Sequence, residues 1–403
     1  MFFAVDTIKR APSLLFTIPK KGNLRFPKNW RGIQLAEFFN AWYDRIISNR
    51  IKLWMYVDEL QTAYQTGKSC NTQIFTLRAI TELAKKRKTP LFVLFLDLEK
   101  AFDLVRRVTM LKVLMQQGMG SNMLYALKKN LYSNTKVVLD KIGTFTSTSG
   151  IRQGAASSAY IFIIFVNGLF QYLRSIYGVN FILGKIHNLI HADDTIILAT
   201  SYDVFKRKIS STVQFFDSID QKVNLGKTKY MCIDSQNRHL KQDLVTNNFI
   251  VEYSTQEKYL GHYVTDENSL RISIELDIQE RAANVLVKLR NFINNNKNTT
   301  LEIRLKVFQA CFCSSILNNC ETWGQWIPKT VKSLYNQGLK LALEVRNSTP
   351  TALVYLETRQ PSITALIRKR QHKFWTTLNK YIGTEICELI KRADKTLYIT
   401  HYK

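Results

Sequence analysis

LFVLFL, Leu91 to Leu96, is an unbroken apolar run of six residues held between Pro90 and Asp97. Pro90 ends the helical pattern before it, and six residues suit a buried strand better than a helix. The strand therefore carries a carboxylate, Asp97, at its exit. A second feature is IHADDTIIL, Ile190 to Leu198, where Asp193 and Asp194 stand side by side between two short apolar runs. Alone, this reads as an acidic hairpin turn, since Asp bonds readily to nearby backbone.

The surrounding pattern alternates. Helical periodicity runs through LAEFFNAWYDRIISNRI and NTQIFTLRAITELAKKRK, and AFDLVRRVTMLKVLMQQG after the strand ends at Gly118. TKVVLDKIGTFTSTSG reads as a hairpin or two short strands, a helix is expected from Ala155 to about Leu173, and another from 202 to 219. Short strands are expected at Met231 to Asp234 and Asn248 to Tyr253. Residues 17 to 35, rich in Pro, Gly and basic side chains, suggest a loop with short strands. The class is α+β. Helices packed on one face of an antiparallel sheet would bring the strand end and the hairpin tip together, so that Asp97 faces Asp193 and Asp194.

Converging carboxylates on separate elements suit Mg²⁺, which takes hard oxygen ligands and keeps several waters. Charge points the same way: 57 Lys+Arg against 31 Asp+Glu leave a formal +26, which favours a polyanionic partner, nucleic acid ahead of an anionic membrane. Six cysteines without C-x-x-C spacing argue for a reducing compartment and against a zinc or disulfide framework. The N-terminus is interrupted by Asp6, Lys9 and Arg10 and lacks a signal-peptide core, and AYIFIIFV, Ala159 to Val166, is too short to span a bilayer.

FLDLEKAFD, GIRQG, HADD, NLGKTK and YLG, in that order, resemble the palm of reverse transcriptases, specifically those of non-LTR (LINE-type) retrotransposons. IPKKG, NWRGIQL, SNRI and QTGKS resemble the fingers of the same family, and ETW at Glu321 to Trp323 its post-palm region. The resemblance covers about residues 14 to 326. It implies a right-hand polymerase fold with an antiparallel-sheet palm. The fingers would be 14–90 and 119–149, the palm 91–118 and 150–265, a helical thumb 266–350, and a basic helical extension 351–403.

The activity implied is RNA-directed DNA synthesis: a primer 3′-hydroxyl attacks a deoxynucleoside triphosphate, with two Mg²⁺ ions (Mn²⁺ as a substitute) about 3.5 to 4 Å apart. The resemblance assigns Asp97 and Asp193 as main ligands, Asp194 as assistant and the Leu98 carbonyl as a further ligand. Phe102 would lie against the sugar and exclude a 2′-hydroxyl, Gln153 and Gly154 would line the nucleotide and template base, and Arg31 would contact the triphosphate. Lys227 is the preferred general acid for pyrophosphate departure over Lys229. His191 and the Tyr259-Leu260-Gly261 turn would hold the primer end. The implied partners are an RNA template, a DNA primer, their RNA–DNA hybrid and deoxynucleoside triphosphates, without a membrane. The implied location is intracellular, the nucleus suiting chromosomal insertion.

Two departures from the family pattern stand out. His191 occupies a position usually held by Tyr or Phe, which touches primer-end geometry rather than metal binding. Ser158 is followed by Ala159 where proline is common, which removes a turn constraint and keeps the helix. No upstream endonuclease or downstream Cys/His knuckle is expected in this chain. The rival readings are a truncated remnant that only binds nucleic acid, and an RNA-templated RNA polymerase, which the Phe102 reading opposes.

Overall fold

The computed structural model describes residues 12–393 except 21, 133, 134, 140–142, 181, 235, 237, 238, 240, 247, 248 and 382. Leu91–Leu96 forms β3, the strand expected, and it lies inside a six-stranded sheet. Its antiparallel neighbours are β7 (Asp194–Ala199) and β8 (Lys229–Ile233), with β6 (Asn188–His191) beyond β7 and β10 (Ile250–Tyr253) and β9 (Leu244–Val245) beyond β8. The register sets Leu96 against Thr195, which brings the exit of β3 to the turn between β6 and β7.

Consecutive residues Leu91, Phe92, Val93 and Leu94 are all buried, so both faces of the sheet are covered. A helix covers one face, as expected, and the second face is covered as well. Phe92 packs against Tyr202 and Phe205 of α6 (Tyr202–Ser218), whereas Phe95, on the opposite face, meets Tyr259 of β11 (Gln256–Tyr259). α5 (Ser158–Tyr177) packs with α6 and with α3 (Arg107–Gln116), which is followed by the short α4 (Ser121–Tyr125). α5 is long and apolar enough to cross a membrane by composition, because the apolar run continues past Asn167. Its Ile161, Phe162, Phe165 and Leu169 are buried in the core, which accounts for that composition.

A second sheet holds β2 (Trp30–Leu35), β1 (Ser13–Pro19), β4 (Thr135–Leu139) and β5 (Gly143–Ser147), in that order. β1 pairs antiparallel with β2 and parallel with β4, joining segments far apart in sequence. Arg107, the first residue of α3, ties that helix to the β5 end of this sheet: its guanidinium donates to the carbonyls of Tyr132, Ser147, Ser149 and Gly150 at 2.6 to 3.1 Å. Lysine has no such planar fork. Arg107→Lys is expected to cost about 2 kcal/mol by leaving several carbonyls without a donor, read as a lowered urea midpoint.

α1 (Phe38–Trp54) and α2 (Cys70–Lys86) join the same hydrophobic core as β3. Beyond the β11–β12 hairpin (β12, His262–Thr265), α7 (Leu270–Asn295), α8 (Leu301–Ser315), α9 (Lys329–Ala342) and α10 (Thr351–Thr358) build a separate core around Trp323, Phe308, Phe312 and Tyr335. Gly338 is required there, since a Cβ would lie 2.0 Å from the Phe308 ring. The start of α11 (Ile363–Tyr381) belongs to this core, but Leu378 and, in α12 (Thr384–Ala393), Ile386 and Leu389 return to the first core beside α2. The described C-terminal helices thus contribute to both cores.

Candidate active site

Asp97 is fixed by its backbone. Its N–H donates to Thr228 Oγ1 at 3.2 Å, its carbonyl accepts from Asn224 N–H at 2.8 Å, and the next residue, Leu98, is buried and bridges Val223. The facing turn is two residues long, Ala192 and Asp193, between the paired His191 and Asp194. Ala192 has a φ of +58°, in the left-handed region that side chains disfavour. Asp97, Asp193 and Asp194 come together at this junction, and the charge of Asp97 is felt at both members of the pair. Crowding by protein and then the charges of Asp193 and Asp97 push the Asp194 carboxyl up to about 6. Asp193, though its surface is exposed, is raised foremost by partial desolvation from the protein packed around it and also by Asp97, while its backbone hydrogen bond and Arg31 pull it down.

Among the described residues no three His, Cys, Asp or Glu side chains form a ready-made metal cage. Mg²⁺ does not need one, because it binds through one or two carboxylates plus substrate phosphates and water. The all-oxygen donors, open to solvent and mutually repelling, fit a hard divalent cation.

Of the other residues named in the sequence, Lys227 and Arg31 are near enough for their charges to act on Asp97 and Asp193. Lys227 Nζ stands 3.8 Å from Asp97 Oδ2 and is largely exposed, whereas Lys229 is held by Glu252 at 3.0 Å and Glu257 at 3.9 Å. The GIRQG loop docks on β2, where the Gln153 carbonyl accepts from Gln34 N–H at 2.7 Å. At Gly154, φ +107°, a Cβ would lie 2.8 Å from the Gln34 carbonyl, so only glycine permits that approach. Arg31 sits on the same strand, β2. Phe102 stacks on Phe162 of α5 with centroids 4.2 Å apart. Asp103, without a role in the sequence reading, accepts from Gln153 Nε2 at 2.8 Å and so orients that side chain.

Leu260 and Gly261 turn the β11–β12 hairpin with φ of +49° and +77°, the pattern of a two-residue primed turn. Tyr259 before them is buried. The turn is locked to α7, where Arg281 donates to the Gly261 and Asn318 carbonyls and buried Asp277 takes His262 Nδ1 at 2.6 Å and Tyr263 N–H at 2.9 Å. His191 lies on β6, with its ring toward Thr62 and Cys70.

Residues 18–264 match the family described as reverse transcriptase (RNA-dependent DNA polymerase), well over half of the chain. The chain belongs to the reverse transcriptase family. Among relatives, this reverse transcriptase is 23% identical over 262 residues to a Pol polyprotein of the type-1 retrotransposable element R2 of Popillia japonica, covering 61% of this chain and 36% of that protein. It is 24% identical over 291 residues to an uncharacterized 149 kDa protein of transposon TX1 of Xenopus laevis, covering 70% of this chain and 22% of the other. The chain thus spans about a third or less of the length of these relatives. Among solved structures, apo telomerase from Candida tropicalis is 13% identical with a TM-score of 0.46, covering 95% of this chain and 68% of that one. An RNA-dependent RNA polymerase of a human picobirnavirus is 12% identical with a TM-score of 0.45, covering 92% and 64%. Likeness at this level says nothing about function.

In a reverse transcriptase the sheet bearing the paired aspartates is the palm of a right-hand polymerase, and the family works with divalent metal ions. Residues without a role in the sequence, Gln61, Thr62, Cys70, Asp277 and Arg281, brace the motif residues from distant segments, and nothing local in the sequence marks them; Asp103 lies inside FLDLEKAFD, but its partner Gln153 is 50 positions away.

The raised Asp194 carboxyl has a consequence for stability. Its unfolded value is lower, so the charged form is disfavoured by folding; the cost is full above about pH 6 and disappears as pH falls toward 4. Asp194→Asn is expected to stabilise the apo protein at pH 8 by about 1 kcal/mol, after discounting for its open position. The gain should shrink toward pH 4, read from urea midpoints at the two pH values.

Proposed function

We propose that this reverse transcriptase copies RNA into DNA by extending a DNA primer with deoxynucleoside triphosphates, as part of a non-LTR retrotransposon-type element. The observation that carries the reading is the junction of Asp97, at the exit of β3, with Asp193 and Asp194, at the β6–β7 turn, with Lys227 3.8 Å from Asp97. Asp97, Asp193, Asp194 and the Leu98 carbonyl would hold two Mg²⁺ ions. When bound, such ions lower the pKa of the primer 3′-hydroxyl and neutralise charge on the leaving pyrophosphate.

The chain's own residues do the rest. Arg31 and Lys227 face the triphosphate, with Lys227 donating a proton to the departing pyrophosphate oxygen. Gln153, oriented by Asp103, and Gly154 line the template base and the incoming nucleotide. Phe102, backed by Phe162, closes the space a 2′-hydroxyl would need. The Tyr259-Leu260-Gly261 turn, braced by Arg281, and the β6–β7 turn bearing His191 hold the primer end. The β1–β2–β4–β5 sheet serves as fingers and the helices from Leu270 as a thumb. The net +26 holds the RNA–DNA hybrid through its phosphates, and action on chromosomal DNA would place the protein in the nucleus.

The test is metal and product dependence: Mg²⁺ or Mn²⁺ should support release of one pyrophosphate per nucleotide added to an RNA-templated primer, and Ca²⁺ should not. Pyrophosphate release without primer growth would overturn the reading.

A further inference from the structure

His191 stands where the family usually has an unreactive aromatic ring, yet both of its nitrogens are engaged. Nδ1 lies 2.8 Å from the Thr62 hydroxyl and Nε2 lies 3.3 Å from Cys70 Sγ. A neutral imidazole has one donor and one acceptor nitrogen, and a hydroxyl or thiol can take either role, so both contacts hold in either tautomer. Phenylalanine at 191 would leave Thr62 and Cys70 without this partner.

The segment that carries Thr62 grips the same hairpin with its backbone. Thr62 N–H donates to the Ile190 carbonyl at 3.1 Å and Ile190 N–H to the Leu60 carbonyl at 3.3 Å, so residues 60–62 run parallel to β6 as an added edge. Gln61 between them is fully buried, and its Oε1 accepts from Ala192 N–H and Ala63 N–H, each at 3.1 Å. Ala192 is the turn residue with φ +58°. A left-handed alanine is held only where its surroundings over-determine it, and here the turn amide itself is tied down.

We infer that Gln61, Thr62 and Cys70 are positioning residues that, partly through His191, fix the Ala192–Asp193 turn and thereby the placement of Asp193 and Asp194 relative to Asp97. Cys70 opens α2, so the latch joins the start of that helix to the catalytic hairpin. Loosening it spreads the carboxylates that the metal must bridge, whereas Arg31 and the basic surface that bind triphosphate and template are untouched. The metal consequence rests on the two-metal reading above; the hydrogen-bond geometry does not.

The experiment compares Thr62→Val, which keeps shape and removes the hydroxyl, with Thr62→Ser, which keeps it, and adds His191→Phe and the Thr62→Val/His191→Phe double variant. Mn²⁺ binding to the folded, substrate-free protein is followed by electron paramagnetic resonance, and kcat and KM for deoxynucleotide are measured in parallel. Thr62→Val and His191→Phe should each weaken Mn²⁺ binding about ten-fold, the size usual for residues that orient metal ligands. Thr62→Ser should match the parent, the double variant should be no worse than the worse single, and kcat should fall without a change in KM. Unaltered Mn²⁺ affinity in Thr62→Val and His191→Phe overturns the inference, even if melting temperatures fall. So does a Thr62→Ser variant as impaired as Thr62→Val, or a folded parent that binds no Mn²⁺. A parent that binds Mn²⁺ but extends no primer refutes the polymerase reading alone, and the Mn²⁺ affinities still decide the latch.

Discussion

Asp193→Asn is expected to reduce primer extension by at least about a thousand-fold, roughly 4 kcal/mol of barrier, while leaving the fold and template–primer affinity intact. Asparagine has nearly the same shape, so β6 and β7 keep their pairing. What is lost is one of the charges gathered at the junction with Asp97, where partial desolvation and neighbouring carboxylates already disfavour a carboxylate without a cation. The same neutralisation should not weaken nucleic-acid binding, since removing a negative charge beside phosphate relieves repulsion. A variant that retains a tenth of parental activity would remove Asp193 from the metal set.

Phe102→Ala should change which sugar is accepted. The ring is held by stacking on Phe162, a core residue of α5, so it cannot swing aside as an unsupported side chain could. With Phe102 against the sugar as proposed, truncation would open that space, and discrimination against ribonucleotides should fall on the order of ten- to a hundred-fold. The check is the ratio of kcat/KM for a deoxynucleotide and its ribonucleotide on one RNA template. A parent that prefers ribonucleotides would instead favour an RNA-templated RNA polymerase.

Where local pattern decides structure, the sequence was readable. LFVLFL forms a strand over the span expected because a proline and an aspartate bracket it. The Asp-Asp hairpin and the helix at Tyr202–Ser218 follow from alternation and periodicity of their own side chains. The YLG turn was legible as a turn, although its brace was not: Arg281 and Asp277 lie on α7, and nothing in RISIELDIQERA says which loop they meet. Coverage of both sheet faces escaped for the same reason, since a fully apolar strand does not say what packs on it. The apolar run in the helix at Ser158–Tyr177 is eight residues long in the sequence because Asn167 and Gly168 interrupt it, and the helix itself runs past the expected end near Leu173. In the fold Asn167 Oδ1 accepts from Asp58 N–H at 2.9 Å, so the polar residue is a buried tie within a continuous helix. The candidate carboxylates were legible through motif order, while the residues that hold the turn, Gln61 and Thr62, come from more than a hundred positions upstream.

The most direct measurement is extension of an oligo(dT) primer on poly(rA) by the intact chain with Mg²⁺ and dTTP, beside Asp97→Asn and Asp193→Asn and with template–primer binding measured on all three. The account predicts a ladder of extended products from the parent and none from either variant, with binding equal in all. Binding without extension by the parent, under conditions where it is folded and Mg²⁺ is saturating, would contradict the account and leave a nucleic-acid-binding remnant in its place.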